Sequence, residues 1–473
     1  MDERYIAAVD LGTYKIALAV ARVEGENVQI IYYDETPSDG IRYSSVFNPR
    51  KVLAPLSASI RKAESELGIK ILQVVVGLPR YEVSHEIAEG ELPGRDPSSS
   101  ITREEIENLK NMALDNYPLE DRSKEIIYGA VAQSFSVDDY FQLVEEDVEG
   151  MVSESFKGNF KVFIGNRSNV NNIDRVFNDA EIAIARKYFI PDVLAKIVLS
   201  YEEMDNGVAL IDFGGGVTSV SVYRNGILRH YAAIPFGGNS ITGDIKLEGG
   251  FSKSLAESIK LAYGACMPDK LASMSEKVIR VCYKDSGAEK QLPVKYLSEI
   301  ITCRVEEIVE AILFEIQRSG FADELRSGVV ITGGGADMVN IGNFVKDKSG
   351  YNVRVGYPLH KYSASGCPGV GETSSAAVIG MLMAAKNDKL LNCIQEKPKE
   401  PAADAAEPVE GKKESSENRE TVFDHSAWEV KEPADTTPGN TNKKNPLGRW
   451  KKISAPIAKF VGSLYEGMEE EEE

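Results

Sequence analysis

Apolar and polar residues alternate in short runs from the start of the chain to about residue 386. Runs such as YIAAVD, KIALAVARV, NVQIIYY and ILQVVVGL have the length and the branched side chains of β-strands. The segment PRKVLAPLSASIRKAESELG instead spaces its apolar residues three and four positions apart, which predicts an amphipathic helix. Strands that alternate with helices indicate an α/β protein.

The pattern changes after about residue 386, where Pro, Glu, Lys, Ala and Ser dominate the sequence. Few apolar residues are left to offset the entropy lost on ordering, so we predict a disordered linker over residues 386–446. Trp428 is a potential docking point within it, although a lone aromatic residue in such a segment is more often solvated.

Helical spacing returns over residues 447–465, which precede an acidic tail at 466–473. The apolar positions are Leu447, Trp450, Ile453, Ile457, Phe460, Val461 and Leu464, and the basic ones are Arg449, Lys451, Lys452 and Lys459. An apolar face with basic flanks is typical of a helix lying at the surface of an anionic membrane. A helix that packs on the protein's own body is the alternative, and Pro456 restricts a regular helix to residues after about 455.

Composition narrows the class of protein. The 473 residues carry a formal net charge of −19, which argues against nucleic-acid binding, and their number allows two or three domains. The first residues lack the basic and apolar regions of a signal peptide, and no apolar run approaches the length of a transmembrane helix. The five cysteines and four histidines are scattered, so we expect reduced cytoplasmic thiols and no zinc site.

A weak internal repeat joins AAVDLGTYKIALAV (residues 7–20) to ALIDFGGGVTSVSV (residues 209–222). Each segment has an apolar strand, an aspartate, a turn rich in glycine and a second strand. Either segment alone could be an ordinary hairpin with a glycine turn. Two of them, about two hundred residues apart, predict a duplicated, two-lobed architecture around a central cleft.

The two turns suit phosphate binding, because glycine lets backbone N–H groups approach an anion and hydroxyl groups add donors. The candidate phosphate contacts are Gly12, Thr13, Tyr14 and Lys15 in the first turn, and Gly214, Gly215, Gly216 and Thr218 in the second. Asp10 and Asp212 end their strands, where a carboxylate can hold a water of a hydrated Mg²⁺ ion.

Two later motifs are candidates for adenosine binding. GVVITGGGADMVNI runs from an apolar strand into Gly333, Gly334 and Gly335 and then a helix, and the missing side chains leave room for a flat ring. Glu257 and Lys260 share a helix face and could grip the ribose and base, although an exposed ion pair is the plainer interpretation. No P-loop motif and no GxGxxG after the first strand are present.

In this order, the motifs resemble those of the actin, hexokinase and DnaK superfamily. Residues 207–245 resemble the second phosphate segment of the FtsA family of bacterial cell-division proteins, and FKVFIGNRSNVNNIDRVFNDA resembles the end of that family's small inserted subdomain. The resemblance implies the following map: 1–83 and 176–205 as the first core lobe, 84–175 as the insertion, 206–247 and 325–385 as the second core lobe, and 248–324 as its outer subdomain.

The resemblance also implies a function. Members of the family bind ATP, with Mg²⁺, in the cleft and polymerise at the cytoplasmic face of the cell membrane at the division septum. There they tether the FtsZ ring and help to recruit later division proteins. The C-terminal peptide of FtsZ would bind residues 248–324, where Arg304 and Lys295 are basic candidates. Anionic lipids would bind residues 447–465.

The sequence departs from the family at two points. Tyr14 stands where the family usually has a small residue, and no glutamate or glutamine is evident for activating water, since Glu202 and Glu203 fit a helix end better. We therefore expect a nucleotide-dependent scaffold that is at most a slow ATPase. The alternatives are a scaffold of the PilM type, found in pili, and a small-molecule kinase or exopolyphosphatase; a DnaK-type chaperone would need a further folded domain.

Overall fold

The computed structural model describes residues 3–92, 96, 98–283, 289–359, 361–364, 366–396 and 428–434. The predicted membrane-binding segment 447–465 and the acidic tail 466–473 lie outside these residues. Among the helices of the described residues, none combines the length and the apolar character needed to cross a membrane.

The strands of the described residues are short and mostly apolar. They are β1 Arg4–Leu11, β2 Lys15–Glu24, β3 Asn27–Pro37, β4 Ile41–Arg42, β5 Ser45–Val46, β6 Ile69–Ile71, β7 Gln73–Gly77, β8 Ser84–Leu92, β9 Glu125–Val137, β10 Tyr140–Leu143, β11 Phe156–Asn166, β12 Ala183–Tyr188, β13 Val208–Phe213, β14 Thr218–Arg224, β15 Ile227–Ile234, β16 Val278–Tyr283, β17 Glu289–Pro293, β18 Val329–Thr332, β19 Val353–Val355, β20 Ser363–Ala364, β21 Ile394–Glu396 and β22 Trp428–Ala434.

The helices cover the faces of the sheets. They are α1 Pro49–Leu67, α2 Arg103–Asn116, α3 Glu145–Val148, α4 Arg167–Asp179, α5 Ile190–Val198, α6 Tyr201–Asn206, α7 Gly238–Gly249, α8 Lys253–Tyr263, α9 Val294–Arg318, α10 Ile341–Ser349 and α11 Ala376–Ala385. The four strands and the helix named from the sequence pattern in the first 78 residues are therefore confirmed, although ILQVVVGL is divided between β6 and β7.

Two sheets share one strand order, which confirms the predicted duplicated, two-lobed architecture. The first sheet runs β12-β7-β1-β2-β3-β20 and the second runs β19-β18-β13-β14-β15. In both, the leading hairpin is antiparallel and its first strand pairs in parallel with the strand that follows the connecting helices. Helices α5 and α11 pack together between the sheets, so closely that a Cβ at Gly380 would lie 2.6 Å from the carbonyl oxygen of Val193.

The insertion in the first lobe is an antiparallel sheet of order β10-β9-β11-β8, with a hydrophobic core of its own beneath α2. The boundary expected at residue 175 falls inside α4. The buried face of α4, which includes Val170 and Phe177, packs in the core of the first lobe rather than in that of the insertion. The insertion therefore ends with β11, because α4 has its apolar partners in α1 and the sheet of the lobe.

The prediction of disorder from residue 386 onwards is wrong for two segments. After α11 the chain returns to the first lobe, where β21 pairs with β6 and the guanidinium of Arg4 donates to the carbonyl oxygen of Asp388 at 2.5 Å. Further on, β22 adds to the edge strand β16 of the second lobe's outer part, with Trp428 opposite Tyr283. Both segments gain backbone hydrogen bonds, which composition does not register.

Candidate functional site

A large cavity lies between the two lobes and has a volume of about 680 Å³. It is lined by both glycine turns, by Asp10 and Asp212, by Glu257 and Lys260, and by the triple glycine at residues 333–335. The motifs predicted to bind phosphate, metal and adenosine are thus brought together in one place.

The two turns have the same backbone geometry. The N–H of Gly12 donates to the carbonyl oxygen of Lys15 at 3.0 Å, and the N–H of Gly214 donates to that of Val217 at 2.9 Å. A Cβ on either glycine would lie 2.6 Å from the accepting oxygen. Glycine is therefore required at the same point of both turns, because any side chain would displace the closing carbonyl.

The tips of the two turns touch across the cleft. A Cβ at Gly215 would lie 2.8 Å from the Cβ of Tyr14, and a Cβ at Gly216 would lie 2.7 Å from the Oγ1 of Thr13. Neither distance occurs between real Cβ atoms and their neighbours. The glycines of the second turn therefore make room for the side chains of the first.

Two side chains of the first turn have acidic partners. Lys15 forms an ion pair with Glu35 on the neighbouring strand β3. Tyr14 reaches across the cleft to Glu257; burial, followed by the charges of Glu257 and Glu35, raises the pKa of its phenol to about 12. The charge of Lys15 is therefore already balanced by that of Glu35, and Tyr14 is a neutral hydrogen-bond donor at physiological pH.

Thr218 is the one predicted phosphate contact that does not line the cavity. It begins β14 opposite Phe213, is fully buried, and its hydroxyl donates to the carbonyl oxygen of Phe236 at 2.9 Å. Its counterpart in the first hairpin is Ile16, the second residue of β2, which lies opposite Leu11. Side chains alternate between the faces of a strand, and this position points into the core.

Arg80 lies between the two aspartates, at the point where Mg²⁺ was expected. Its Nη2 is 3.2 Å from Oδ2 of Asp10 and its Nε is 3.3 Å from Oδ2 of Asp212, so it links the first lobe to the second. Burial would lower the pKa of Arg80, but the charges of Asp10 and Asp212 outweigh it and raise that pKa, so the guanidinium stays charged. Burial raises the pKa of Asp212, and Arg80 partly offsets this.

Arg80 was missed in the sequence, although a signal for it exists. It follows the apolar run of β7, and β7 pairs in parallel with β1, which ends near Asp10. Because the carboxyl ends of parallel strands meet at one edge of a sheet, a charged residue just after β7 had to lie close to Asp10. A search for charges at strand ends would have found it.

Glu257 and Lys260 are buried rather than exposed, so the plainer interpretation of this pair as a surface ion pair is wrong. Their oxygen and nitrogen lie 2.9 Å apart, with 7% and 9% of the side chains exposed. Lys260 also donates to the carbonyl oxygen of Gly238 at 3.0 Å, and Thr242 donates to Glu257. Burial lowers the pKa of Lys260, and the charge of Glu257 opposes this. The pair thus fixes the first turn of α7 at the cavity wall.

The triple glycine leads into a short 3₁₀ turn, and the helix expected directly after it, α10, begins only at Ile341. Gly333 has a φ of 83°, and a Cβ there would lie 2.3 Å from Oδ1 of Asp212. Thr373 donates to the carbonyl oxygen of Gly333 at 2.9 Å, which holds the turn in place. The cavity wall also carries apolar side chains, among them Leu271, Met274, Met338 and Ile341.

Other candidates from the sequence lie away from the cavity. Glu203 caps α6 through Ser200 and pairs with Arg354 at 2.6 Å, which confirms a structural role at a helix end. Arg304 is bound to Asp244 and Glu307 at 2.6 and 2.7 Å, so it is poorly placed for an acidic peptide. The lipid-binding candidates from Leu447 to Leu464 lie outside the described residues.

Comparisons with known proteins identify relatives of this chain. The family model described as "Cell division protein FtsA" matches residues 209–380. The cell division protein FtsA of Enterococcus faecalis (strain ATCC 700802 / V583) is 30% identical over 356 residues, which cover 74% of this chain and 78% of that protein. That of Neisseria meningitidis serogroup B is 29% identical over 362 residues, covering 76% of this chain and 84% of that protein.

Among solved structures, the chain is similar to one from a PilM-PilN type IV pilus biogenesis complex, with a TM-score of 0.57 and 14% sequence identity. The match covers 80% of this chain and 98% of that chain. At this identity the likeness concerns the fold alone. With the shared strand order of the two lobes, it confirms the actin-like fold that the resemblance implied.

Proposed function

The chain belongs to the FtsA family of cell-division proteins, and we propose that it is a scaffold whose state depends on ATP bound between its lobes. The observation that carries this proposal is the meeting of the two glycine turns at one cavity, together with the triple glycine. Three separate segments of the sequence, each with the backbone suited to an anion or a flat ring, line the same cleft.

The residues present fit a nucleotide. Backbone N–H groups of the two turns suit a polyphosphate. The apolar side chains of Leu271 and Met338 in the cavity wall suit a planar base. Glu257 and Lys260 also line the cavity and offer an acceptor and a donor for ribose hydroxyls. Mg²⁺ fits less well, because Arg80 already binds both carboxylates proposed to associate with it.

Chemical turnover is at most slow in this proposal. No glutamate or glutamine was assigned to water activation from the sequence, and Glu203 is engaged at its helix end. Phosphoryl transfer needs an oriented water as well as charge stabilisation. We therefore assign the nucleotide a structural role, in which it holds the two lobes in the arrangement that polymerises.

The remaining steps rest on family membership and on the sequence of the tail. Residues 248–324 would bind the C-terminal peptide of FtsZ, and residues 447–465 would bind anionic lipid at the cytoplasmic face of the membrane at the septum. One short basic helix binds lipid weakly. Many copies in a filament would bind firmly through avidity, and the filament would then tether the FtsZ ring and recruit later division proteins.

The nucleotide part is tested by Asp212→Ala, with Asp205→Ala as a matched control because Asp205 is exposed and lies outside the cavity. Calorimetric titration of the full chain with ATP should show a loss of affinity of at least about tenfold in the first variant and none in the second. Unchanged affinity in Asp212→Ala would mean that the nucleotide does not bind in this cleft.

The membrane part is tested by sedimentation with phosphatidylglycerol vesicles, with and without ATP. Deletion of residues 447–473 should abolish sedimentation, whereas deletion of 466–473 alone should preserve it, because the basic helix remains. Binding that survives the longer deletion, or transfer of phosphate to a sugar or carboxylate, would favour the alternatives, a pilus-type scaffold or a kinase. Co-sedimentation with the FtsZ C-terminal peptide tests the partner.

A further inference from the structure

Arg80 is held firmly at the centre of the cleft. Its backbone N–H donates to Oγ of Ser44 at 3.2 Å, and its carbonyl oxygen accepts from the hydroxyl of Tyr231 in the second lobe. Its side chain is only 12% exposed and contacts Asp10 and Asp212. The backbone of Arg80 therefore contacts residues of both lobes, and so does its guanidinium.

The other charges around the cavity show what the positive charge of Arg80 can offset. Lys15 is paired with Glu35 and Lys260 with Glu257, so each of these ammonium groups is balanced by a carboxylate. Asp10 and Asp212 would otherwise present two negative charges where the phosphates are proposed to lie. A divalent cation is the usual means of offsetting such repulsion. Arg80 supplies a positive charge from the chain itself.

The guanidinium also retains capacity for a ligand. Nη2 binds Asp10, and Nε lies near Asp212 without the alignment of a hydrogen bond. Within the part of the chain that the structure describes, no hydrogen-bond acceptor is found for Nη1. Arg80 lines the cavity, and arginine binds phosphate through several N–H groups at once, so Nη1 is available for a phosphate oxygen.

We propose that Arg80 is a built-in counter-cation of the cleft: it links Asp10 to Asp212, contacts the polyphosphate of the bound nucleotide, and makes binding only weakly dependent on a divalent metal ion. This inference rests on the proposed nucleotide site. It differs from that proposal in assigning to one side chain the charge that Mg²⁺ was expected to supply.

The test is titration of the full chain with ATP in Mg²⁺ and in EDTA, for the wild type and for Arg80→Gln. The wild type should lose less than about tenfold in affinity when Mg²⁺ is removed. In EDTA, Arg80→Gln should bind at least about tenfold more weakly than the wild type, and Mg²⁺ should restore most of that loss. Arg80→Lys, which keeps the charge, should retain much of the affinity in EDTA.

Arg61→Gln is the matched control, because Arg61 is exposed on α1 and its side chain bonds to the carbonyl oxygen of Ser57 in its own helix. It should behave as the wild type in both buffers. Circular dichroism would establish that each variant folds. If Arg80→Gln does not fold, the titration of the wild type in the two buffers still tests whether ATP binding depends only weakly on Mg²⁺.

The outcomes separate the two proposals. Binding by the wild type only in Mg²⁺ would leave the nucleotide site intact and overturn the role of Arg80. Equal affinities of Arg80→Gln and the wild type in EDTA would do the same. A wild type that binds ATP in neither buffer would overturn the proposed function, and the role of Arg80 with it.

Discussion

The two glycine turns share one backbone geometry but differ in the side chains that they carry. Each closes with the same hydrogen bond, from a glycine N–H to the carbonyl oxygen three residues on. The first turn then carries Thr13, Tyr14 and Lys15, whereas the second carries Gly215, Gly216 and Val217. The two copies of the hairpin therefore keep the same backbone geometry, while most of the polar side chains belong to the first copy alone.

This division has a steric reason. Thr13 and Tyr14 occupy the space that side chains of the second turn would need. Tyr14 uses that space to reach Glu257 in the other lobe. Gly215 and Gly216 of the second turn therefore leave this space free, and the first turn uses it for the contacts that its side chains make. Substitutions at equivalent positions should have unequal effects.

The largest effect is expected from Gly216→Ala. The new Cβ would lie 2.7 Å from Thr13, so the turns must separate, and we expect a loss of roughly 1–3 kcal/mol in the free energy of unfolding and of at least about tenfold in ATP affinity. Gly243→Ala in α7 is the control, because that site is open and alanine should stabilise the helix by up to about 1 kcal/mol. Urea unfolding measures both; equal effects would remove the steric argument.

The next comparison is Asp10→Asn against Asp212→Asn. Asp10 accepts hydrogen bonds from Arg80, and their loss should lower the free energy of unfolding by about 1–3 kcal/mol. Burial raises the pKa of Asp212, so its ionised form counts against folding at neutral pH, and asparagine removes that penalty. Asp212→Asn should therefore cost less stability in urea. The reverse order would show that Arg80 depends mainly on Asp212.

A smaller effect is expected from Thr218→Val. Loss of the hydroxyl leaves the carbonyl oxygen of Phe236 without this donor, which should cost about 1 kcal/mol of stability. ATP affinity should not change, because Thr218 does not line the cavity. Thr13→Val, at the cavity wall, should lower ATP affinity. If Thr218→Val weakened ATP binding instead, the original assignment of Thr218 to phosphate would be restored.

The smallest effect concerns the pH dependence of stability and Tyr14→Phe. Folding raises the pKa of Tyr14 from its ordinary value of 10.0 to about 12. The stability that this preference for the protonated phenol contributes is complete below pH 10 and is lost as the pH rises towards 12. The unfolding temperature of the wild type should therefore fall more steeply with pH over this range than that of Tyr14→Phe. Parallel profiles would mean that Tyr14 does not interact with Glu257.

The fold could be predicted because its signals are local or repeated. Apolar runs identified β1, β2 and β3, and the repeat of Asp-x-Gly identified both hairpins. Residue roles that depend on the direction of a side chain were harder. Thr218 follows the glycines as a phosphate-binding threonine would, but it already belongs to a strand, where alternation points it into the core.

Other features depend on pairings that no local pattern encodes. Arg80 is 70 positions from Asp10 in sequence, and only the parallel pairing of β7 with β1 brings them together. Strand β22 joins β16 through its backbone. Because an added strand needs only free N–H and C=O groups on an edge, a polar composition does not exclude it.

The pairing of β22 with β16 also sets a length. Without it, the stretch between β21 and the proposed lipid-binding segment would span residues 397–446; with it, only residues 435–446 separate β22 from residue 447. A chain of that length reaches at most about 40 Å when fully extended. The outer part of the second lobe, rather than the first lobe, is therefore the nearer one along the chain to the proposed lipid-binding segment, and a membrane bound by residues 447–465 would hold that face of the molecule within reach of its surface.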